Sequence, residues 1–400
     1  MKQKIGIFVP TTLGMLTAFG PFITDFYLPS MPEMQESFAT SPSLVAMSLT
    51  TGMLGLSIGQ VFIGPLSDKY GRKGLLVLSM LLFALSSVSC IFAPNIYVFN
   101  VMRLFQGIGG AGGVVLSKSV ATDMFTGKEL TDFMAILGAI NGIAPVAAPI
   151  VGGTMTNFTS WQGVFCLLLT IGIILMFCSM RLKETLPPAN RSPKDILQTY
   201  ATLFKVLHGR RYRLSMFSHM AMHFTFFAYI ASSPFIFQQL YGLSAFEFSL
   251  CFGMNALTIG IGAILATRFH HQNTALKWGS IDYLLASLLV ALCQMFHLPL
   301  AVLMPCYIYL LMCFGLMQPV VTAIALDSER ENAGSASAIF GAAGFLMGSV
   351  ASPLVSLGDL MLCTSVVMVT GSVVCLLFTL PLCDEVKQEG MRGGHTDIAH

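Results

Sequence analysis

Charge is what this chain has least of. Lys, Arg, Asp and Glu make up only 10% of its 400 residues, against about 25% in water-soluble globular proteins, so an ordinary soluble domain is excluded. The net charge of +2 is small, and the basic residues are scattered through loops, so there is no basic stripe that could track a nucleic acid. Cysteine chemistry is also missing. Cys90, Cys166, Cys178, Cys251, Cys293, Cys306, Cys313, Cys363, Cys375 and Cys383 sit in or beside apolar runs without any C-x-x-C or zinc-like Cys/His spacing, and read as small buried hydrophobes. Period-2 alternation is absent, which excludes a β-barrel. No small-residue cleavage site follows the N-terminal apolar stretch, and that stretch exceeds the roughly 7 to 15 residues of a secretory signal; it is expected to be a first membrane span.

What the chain has in abundance is long apolar runs. About 20 apolar residues cover the roughly 30 Å of hydrocarbon in a bilayer. Runs of that length are found near 5–28, 43–66, 74–93, 96–118, 132–156 and 162–180, and again near 212–237, 246–267, 278–297, 299–325, 335–357 and 361–382. Twelve helical spans are expected. The proposed outer connections carry no Lys or Arg, whereas the inner ones carry Lys69, Arg72, Lys73, Lys128, Arg268, Lys277 and Arg330, and both termini are basic. By the positive-inside rule both termini are cytoplasmic. The longest connection, 182–211, divides the chain into a bundle over 1–181 and another over 212–382, followed by a polar tail, 383–400, expected to be disordered. Within the connection, apolar residues at helical spacing over 195–207 suggest an amphipathic helix on the inner membrane surface.

Of all 21 Lys and Arg residues, only Arg103 falls well inside an apolar run. Such a residue costs a few kcal/mol at least and needs a partner. Asp25, the only acid well inside the first run, is the best candidate. Asp25 lies about 6 Å below the outer end of its helix and Arg103 about 12 Å below its own, so the two share the outer half of the bilayer. An ionised carboxylate there is penalised by desolvation, which suits a group that loads and releases a proton, and a mobile guanidinium could switch that proton off. The alternative, an interfacial Asp in water and an Arg bonded to helix carbonyls, stays open.

Between the second and third runs stands Gly64-Pro65-Leu66-Ser67-Asp68-Lys69-Tyr70-Gly71-Arg72-Lys73. Asp68 and Arg72 are four apart and can pair. The pattern closely resembles the loop signature of the major facilitator superfamily, G-x-L-a-D-r-x-G-R-k. Three further stretches follow suit. Arg103-Leu104-Phe105-Gln106-Gly107-Ile108-Gly109-Gly110-Ala111 resembles the family's fourth-span motif. The stretch from Gly138 through Asn141, Gly142 and Pro145 to Ala148-Pro149-Ile150-Val151-Gly152-Gly153 is similar to the antiporter motif of its drug:proton exchangers, with Ala148 in place of a glycine. Thr24-Asp25-Phe26-Tyr27-Leu28-Pro29-Ser30-Met31-Pro32 resembles the first-span signature of the bicyclomycin and chloramphenicol resistance branch.

The resemblance implies an all-α integral membrane fold of two six-helix bundles that rock about a central site. It ties Asp25, Arg103 and Gln106 to proton coupling and substrate. It makes Gly64, Asp68, Gly71, Arg72 and Asp123 a cytoplasmic latch, and Gly138, Gly142, Pro145, Pro149, Gly152 and Gly153 a seal of the inter-bundle seam. Spans one, four, seven and ten would line the cavity, with Phe22, Tyr27, Asn141, His223, Phe227, Tyr229, Tyr307 and Gln318 as candidates, and Phe224, Tyr309 and Met317 beside them. His219 and His223 are one turn apart without the carboxylate or Cys of a metal site. No metal or cofactor is expected, only the proton gradient. Expected partners are the lipid bilayer, protons and a small lipophilic or cationic drug-like substrate, with no nucleic acid and a monomeric working unit in the bacterial inner membrane. Two rivals remain: a proton-linked nutrient or metabolite carrier, and an intramembrane enzyme, for which no nucleophile–base pair is visible.

Overall fold

A computed structural model describes residues 7–191, 200, 204–269, 271–329 and 332–396. Among them all regular structure is helical. Span one is broken into Phe8–Thr17 and Phe19–Asp25, followed by the short outer helix Met31–Ser37. Spans two to six are Pro42–Tyr70, Arg72–Ile91, Ile96–Met124, Gly127–Met155 and Trp161–Arg181. Span seven, Arg210–Phe235, runs on through a single π-turn, Ile236–Leu240. Spans eight to twelve are Ala245–Ala266, Gln272–Met295, Leu300–Ser328, Ala333–Leu354 and Leu360–Thr396. Ten of the described helices are long and apolar enough to cross a membrane. Span four, diluted by Arg103, Lys118 and Asp123, and the broken span one complete the set of twelve. The break follows from Pro21, whose ring collides with the carbonyl of Thr17, the last residue of the first segment.

Several helices outrun the apolar runs at their inner ends. Spans two, four and five each have 29 residues, about 43 Å of helix, so each overhangs the roughly 30 Å hydrocarbon layer. Hydropathy marks only the part inside the lipid. Lys118 consequently lies within span four rather than in the connection after it. The last helix continues to Thr396 instead of giving way to an irregular tail, and 397–400 fall outside the described residues. The amphipathic helix expected over 195–207 also lies mostly outside them; Tyr200 and a 3-10 turn at Phe204–His208 are described.

The outer N-termini of spans two, four, six, eight and twelve are closed by side chains. Ser41, Asn95 and Asp359 accept from the amides of Leu44, Val98 and Leu362, and Glu33 of the short outer helix accepts from Trp161 N at 3.1 Å. Ser244 and Glu247 form a reciprocal capping box on span eight.

Two compact units emerge, Met1–Thr202 with Ser233–Gly253, and Leu203–Ser232 with Met254–His400. The same crossing recurs inside each. In the first, Gly55 lies on the backbone of Leu104 while Gly107 lies on that of Gly52. In the second, Gly262 lies on Met312 and Gly315 on Ile259. At all four positions an added Cβ would strike backbone, so spans two and four, and eight and ten, touch main chain to main chain.

Candidate transport site

Arg103 is fully buried and wholly committed. One Nη donates to the Ile23 carbonyl at 2.5 Å, Nε to the Ser48 carbonyl at 3.4 Å, and the other Nη to Gln106 Oε1. Its guanidinium carbon stands 4.4 Å from the centre of the Tyr27 ring, a cation–π contact. Gln106 passes the network on through Nε2 to Ser87 Oγ at 2.8 Å, and Tyr27 OH meets Ser48 Oγ at 2.9 Å. The arginine thus ties span one to spans two, three and four. Gly52 makes room for it, since a Cβ there would sit 3.1 Å from an Nη.

Asp25 is not the arginine's partner. The residue is only 3% exposed, no cation pairs with it among the described residues, and its Oδ1 has no hydrogen-bond partner. The expected Asp25–Arg103 pair is therefore replaced by a backbone grip two residues away, the Ile23 carbonyl accepting from the guanidinium. The following residue is held from another side. At Gly152 a Cβ would collide with the Phe26 carbonyl, so span five reaches main-chain contact beside the acid.

At the inner ends Arg72 gathers three oxygens: Asp68 Oδ1 at 2.5 Å, Asp123 Oδ2 at 3.0 Å and Ser67 Oγ at 2.5 Å. Thr185 donates to the same Asp123 oxygen at 3.0 Å. Glu184, which sequence reasoning passed over, caps span three by accepting from Arg72 N at 2.9 Å and Lys73 N at 3.3 Å. Burial raises the Glu184 pKa, but the amides of Leu186, Arg72 and Lys73 and the Arg191 guanidinium outweigh it and hold the carboxyl below its ordinary value. Gly71 adopts φ +101°, and a Cβ there would lie 2.5 Å from Glu184 Oε2. Gly64 is under no such constraint, its nearest neighbour being a Val115 methyl at 3.5 Å.

The span-five glycines divide. Gly152 and Gly153 are packed against Phe26 and against Ser249 and Ala245, whereas at Gly138 and Gly142 a Cβ would meet nothing within 4 Å. Pro149 is buried, Pro145 is half-buried and Asn141 is exposed.

The second unit holds its own buried polar chain. Asn255 Nδ2 donates to Tyr229 OH at 2.9 Å, the Tyr229 and Tyr307 rings stand 4.9 Å apart, Gln294 Nε2 donates to Tyr307 OH at 2.7 Å, and Ser365 Oγ donates to Gln294 Oε1 at 2.6 Å. Of the cavity candidates, Tyr27, Tyr229, Tyr307 and Met317 are buried, with exposures of 0–1%. Each tyrosine spends its hydroxyl inside its own unit, where hydrocarbon offers no other partner. Phe22 and Phe227 are also buried, while His223, Tyr309 and Gln318 are half-buried. Asp282 of span nine faces Tyr309 on span ten. Phe224 lines an apolar cleft of about 190 Å³ with Phe217 and Phe378. A second such cleft of about 310 Å³ lies between spans one and six. Neither cleft touches Asp25 or Arg103.

This arrangement of spans, with an intramembrane Arg knot and an arginine-centred inner cluster, meets a family model. The Major Facilitator Superfamily model matches residues 13–352. The chain belongs to the major facilitator superfamily. It is 37% identical over 353 residues to the uncharacterized MFS-type transporter YdgK of Bacillus subtilis (strain 168), covering 87% of this chain and 88% of that protein. It is 28% identical over 369 residues to a bicyclomycin resistance protein homolog of Haemophilus influenzae, covering 89% and 90%. The partially occluded, inward-open xylose transporter XylE from E. coli superposes with a TM-score of 0.73 at 13% identity, covering 94% of this chain and 97% of that one, a likeness of fold alone. The major facilitator chain is thus a multi-pass membrane transporter, not an enzyme.

Proposed function

We propose that this transporter is a proton-driven exporter of small amphipathic compounds in the bacterial inner membrane, working by alternating access. The observation that carries the reading is the state of Asp25. A buried carboxylate without a cation is costly when ionised and cheap when neutral, so a proton held there leaves only when water or a cation reaches the site. The Arg103 knot immobilises the backbone on one side of Asp25 and Gly152 on the other, so rearranging either contact would change what the carboxyl meets. Likeness to the bicyclomycin resistance homolog and the antiporter-like stretch on span five favour drug export over nutrient uptake. Arg72, Asp68 and Asp123 act as the inner latch, and span five acts as the seal. The test is drug-triggered dissipation of a pH gradient in everted vesicles. Proton release by the intact protein but not by Asp25→Asn is expected; release by both would move the proton site elsewhere, and no response to any drug would favour the metabolite carrier.

A further inference from the structure

The second unit contains a polar cluster that its core network does not absorb. His219 and His223, one turn apart on span seven, have ring centres 3.9 Å apart. His223 Nδ1 lies 2.9 Å from the His219 carbonyl. A carbonyl cannot donate, so Nδ1 carries the proton and the neutral ring is left with Nε2 as an acceptor. His219 is 3% exposed, and neither of its ring nitrogens reaches a partner at hydrogen-bonding geometry, although the Gln318 side chain and the Phe340 backbone face it. Gln318 Oε1 is buried and unpartnered too. Gly344 of span eleven packs against the pair, since a Cβ there would stand 2.8 Å from His219 Nε2 and 3.0 Å from His223 Cδ2. The other neighbours are aromatic: Phe314 lies 5.3 Å from the His223 ring, Phe226 stacks on Phe314 at 4.5 Å and 15°, and Phe340 lies 3.9 Å from His219.

Buried polar groups are nearly always satisfied, so the unpartnered His219 nitrogens and Gln318 Oε1, beside the open Nε2 of half-buried His223, mark a place where a ligand completes the bonds. The open acceptors are His223 Nε2, Gln318 Oε1 and one nitrogen of His219, while the other His219 nitrogen and the Gln318 amide nitrogen are donors. Among the described residues no carboxylate bonds to it. Asp282 faces Tyr309, and Asp327 pairs with Arg211 at 3.5 Å. A charged ligand would lose its hydration without a counter-ion, whereas hydroxyl or amide groups on a flat ring would gain both hydrogen bonds and aromatic contact.

We infer that His219, His223 and Gln318 form a specificity-determining subsite for uncharged aromatic compounds bearing hydroxyl or amide donors. The inference deepens the export reading and rests on it for the direction of transport. It is tested by equilibrium binding to the full-length protein in lipid nanodiscs, with chloramphenicol as the neutral donor-bearing probe and tetraphenylphosphonium as a donor-free cation. The double variant His219→Phe/His223→Phe keeps ring volume and removes the nitrogens; Gln318→Met removes the amide and leaves the histidines. Each should weaken chloramphenicol about tenfold, as expected for one lost buried hydrogen bond, and tetraphenylphosphonium by less than about threefold. Equal weakening of both probes, chloramphenicol affinity within about twofold of the parent in both variants, or no chloramphenicol binding by the parent would each overturn it. Failure here with cation-triggered proton release intact leaves the exporter standing. Selective binding without proton release by any probe removes the exporter and keeps the subsite.

Discussion

Arg103 is bonded to Ile23, not to Asp25: its guanidinium reaches the Ile23 carbonyl at 2.5 Å, and among the described residues no cation pairs with the carboxyl two residues on. The relationship separates two functions that a salt bridge would have merged. The arginine is a fixed tie between spans. The acid stands apart from that tie, on a stretch of backbone that the tie positions.

Arg103→Lys should therefore fail even though charge is kept. An ammonium cannot serve the Ile23 and Ser48 carbonyls and Gln106 together, nor lie flat against the Tyr27 ring. At least one buried acceptor loses its partner, at about 1–3 kcal/mol. The purified variant should melt several degrees below the parent in the same detergent. A melting temperature equal to the parent's would show that the fork geometry is dispensable.

Glu184 gives the inner cluster a pH dependence with a definite sign. Its folded pKa is held below the ordinary glutamate value, so its stabilisation is complete above about pH 4.3 and fades as the pH falls through the lower folded value. Its side chain is 29% exposed, which limits the contribution to about 0.5–1 kcal/mol after solvent screening. Glu184→Gln should lower the melting temperature at pH 7 and make progressively less difference below about pH 4. A gap between parent and variant that widens on acidification would reverse the assignment.

Gly71→Ala strikes the same cluster from the backbone side. At φ +101° an alanine is strained, and its Cβ would meet Glu184 Oε2 at 2.5 Å. A loss of about 1–3 kcal/mol is expected. Because the two residues touch, Gly71→Ala and Glu184→Gln should be non-additive in a double-mutant cycle; strict additivity would place the strain elsewhere.

The spans and the intramembrane placing of Asp25 and Arg103 are legible in the sequence because charge inside hydrocarbon is costly and therefore rare. Partners are not legible. The choice of Ile23 over Asp25 depends on the break that Pro21 imposes, and on how deep a guanidinium reaches once Gly52 has opened space for it. Ser48, Ser87, Asn255 and Gln294 escape notice because single polar residues in apolar runs usually bond to their own helix; only packing shows that these four bridge between helices. Glu184 escapes for the opposite reason. In a polar connection one more acid carries no signal, and its value comes from two amides that lie 111 and 112 residues away. For Tyr27, Tyr229 and Tyr307 composition gives the span, and only rotamers and neighbours show that their hydroxyls meet Ser48, Asn255 and Gln294.

The span-five motif shows the same limit and supplies the sharpest test. Its glycines look alike in sequence, yet Gly152 lies on the Phe26 carbonyl whereas Gly138 and Gly142 face open space. Gly152→Ala should push span one away at the turn that carries Asp25, an overpacking cost of about 1–3 kcal/mol or more because backbone cannot rotate aside. Gly138→Ala and Gly142→Ala should leave stability unchanged or raise it by about 0.5–1 kcal/mol, the usual gain when alanine replaces glycine within a helix. Melting temperatures of the three purified variants decide the matter. Equal destabilisation at all three positions would mean that the inner half of span five is packed as closely as the outer half, and that the motif acts as one continuous contact surface.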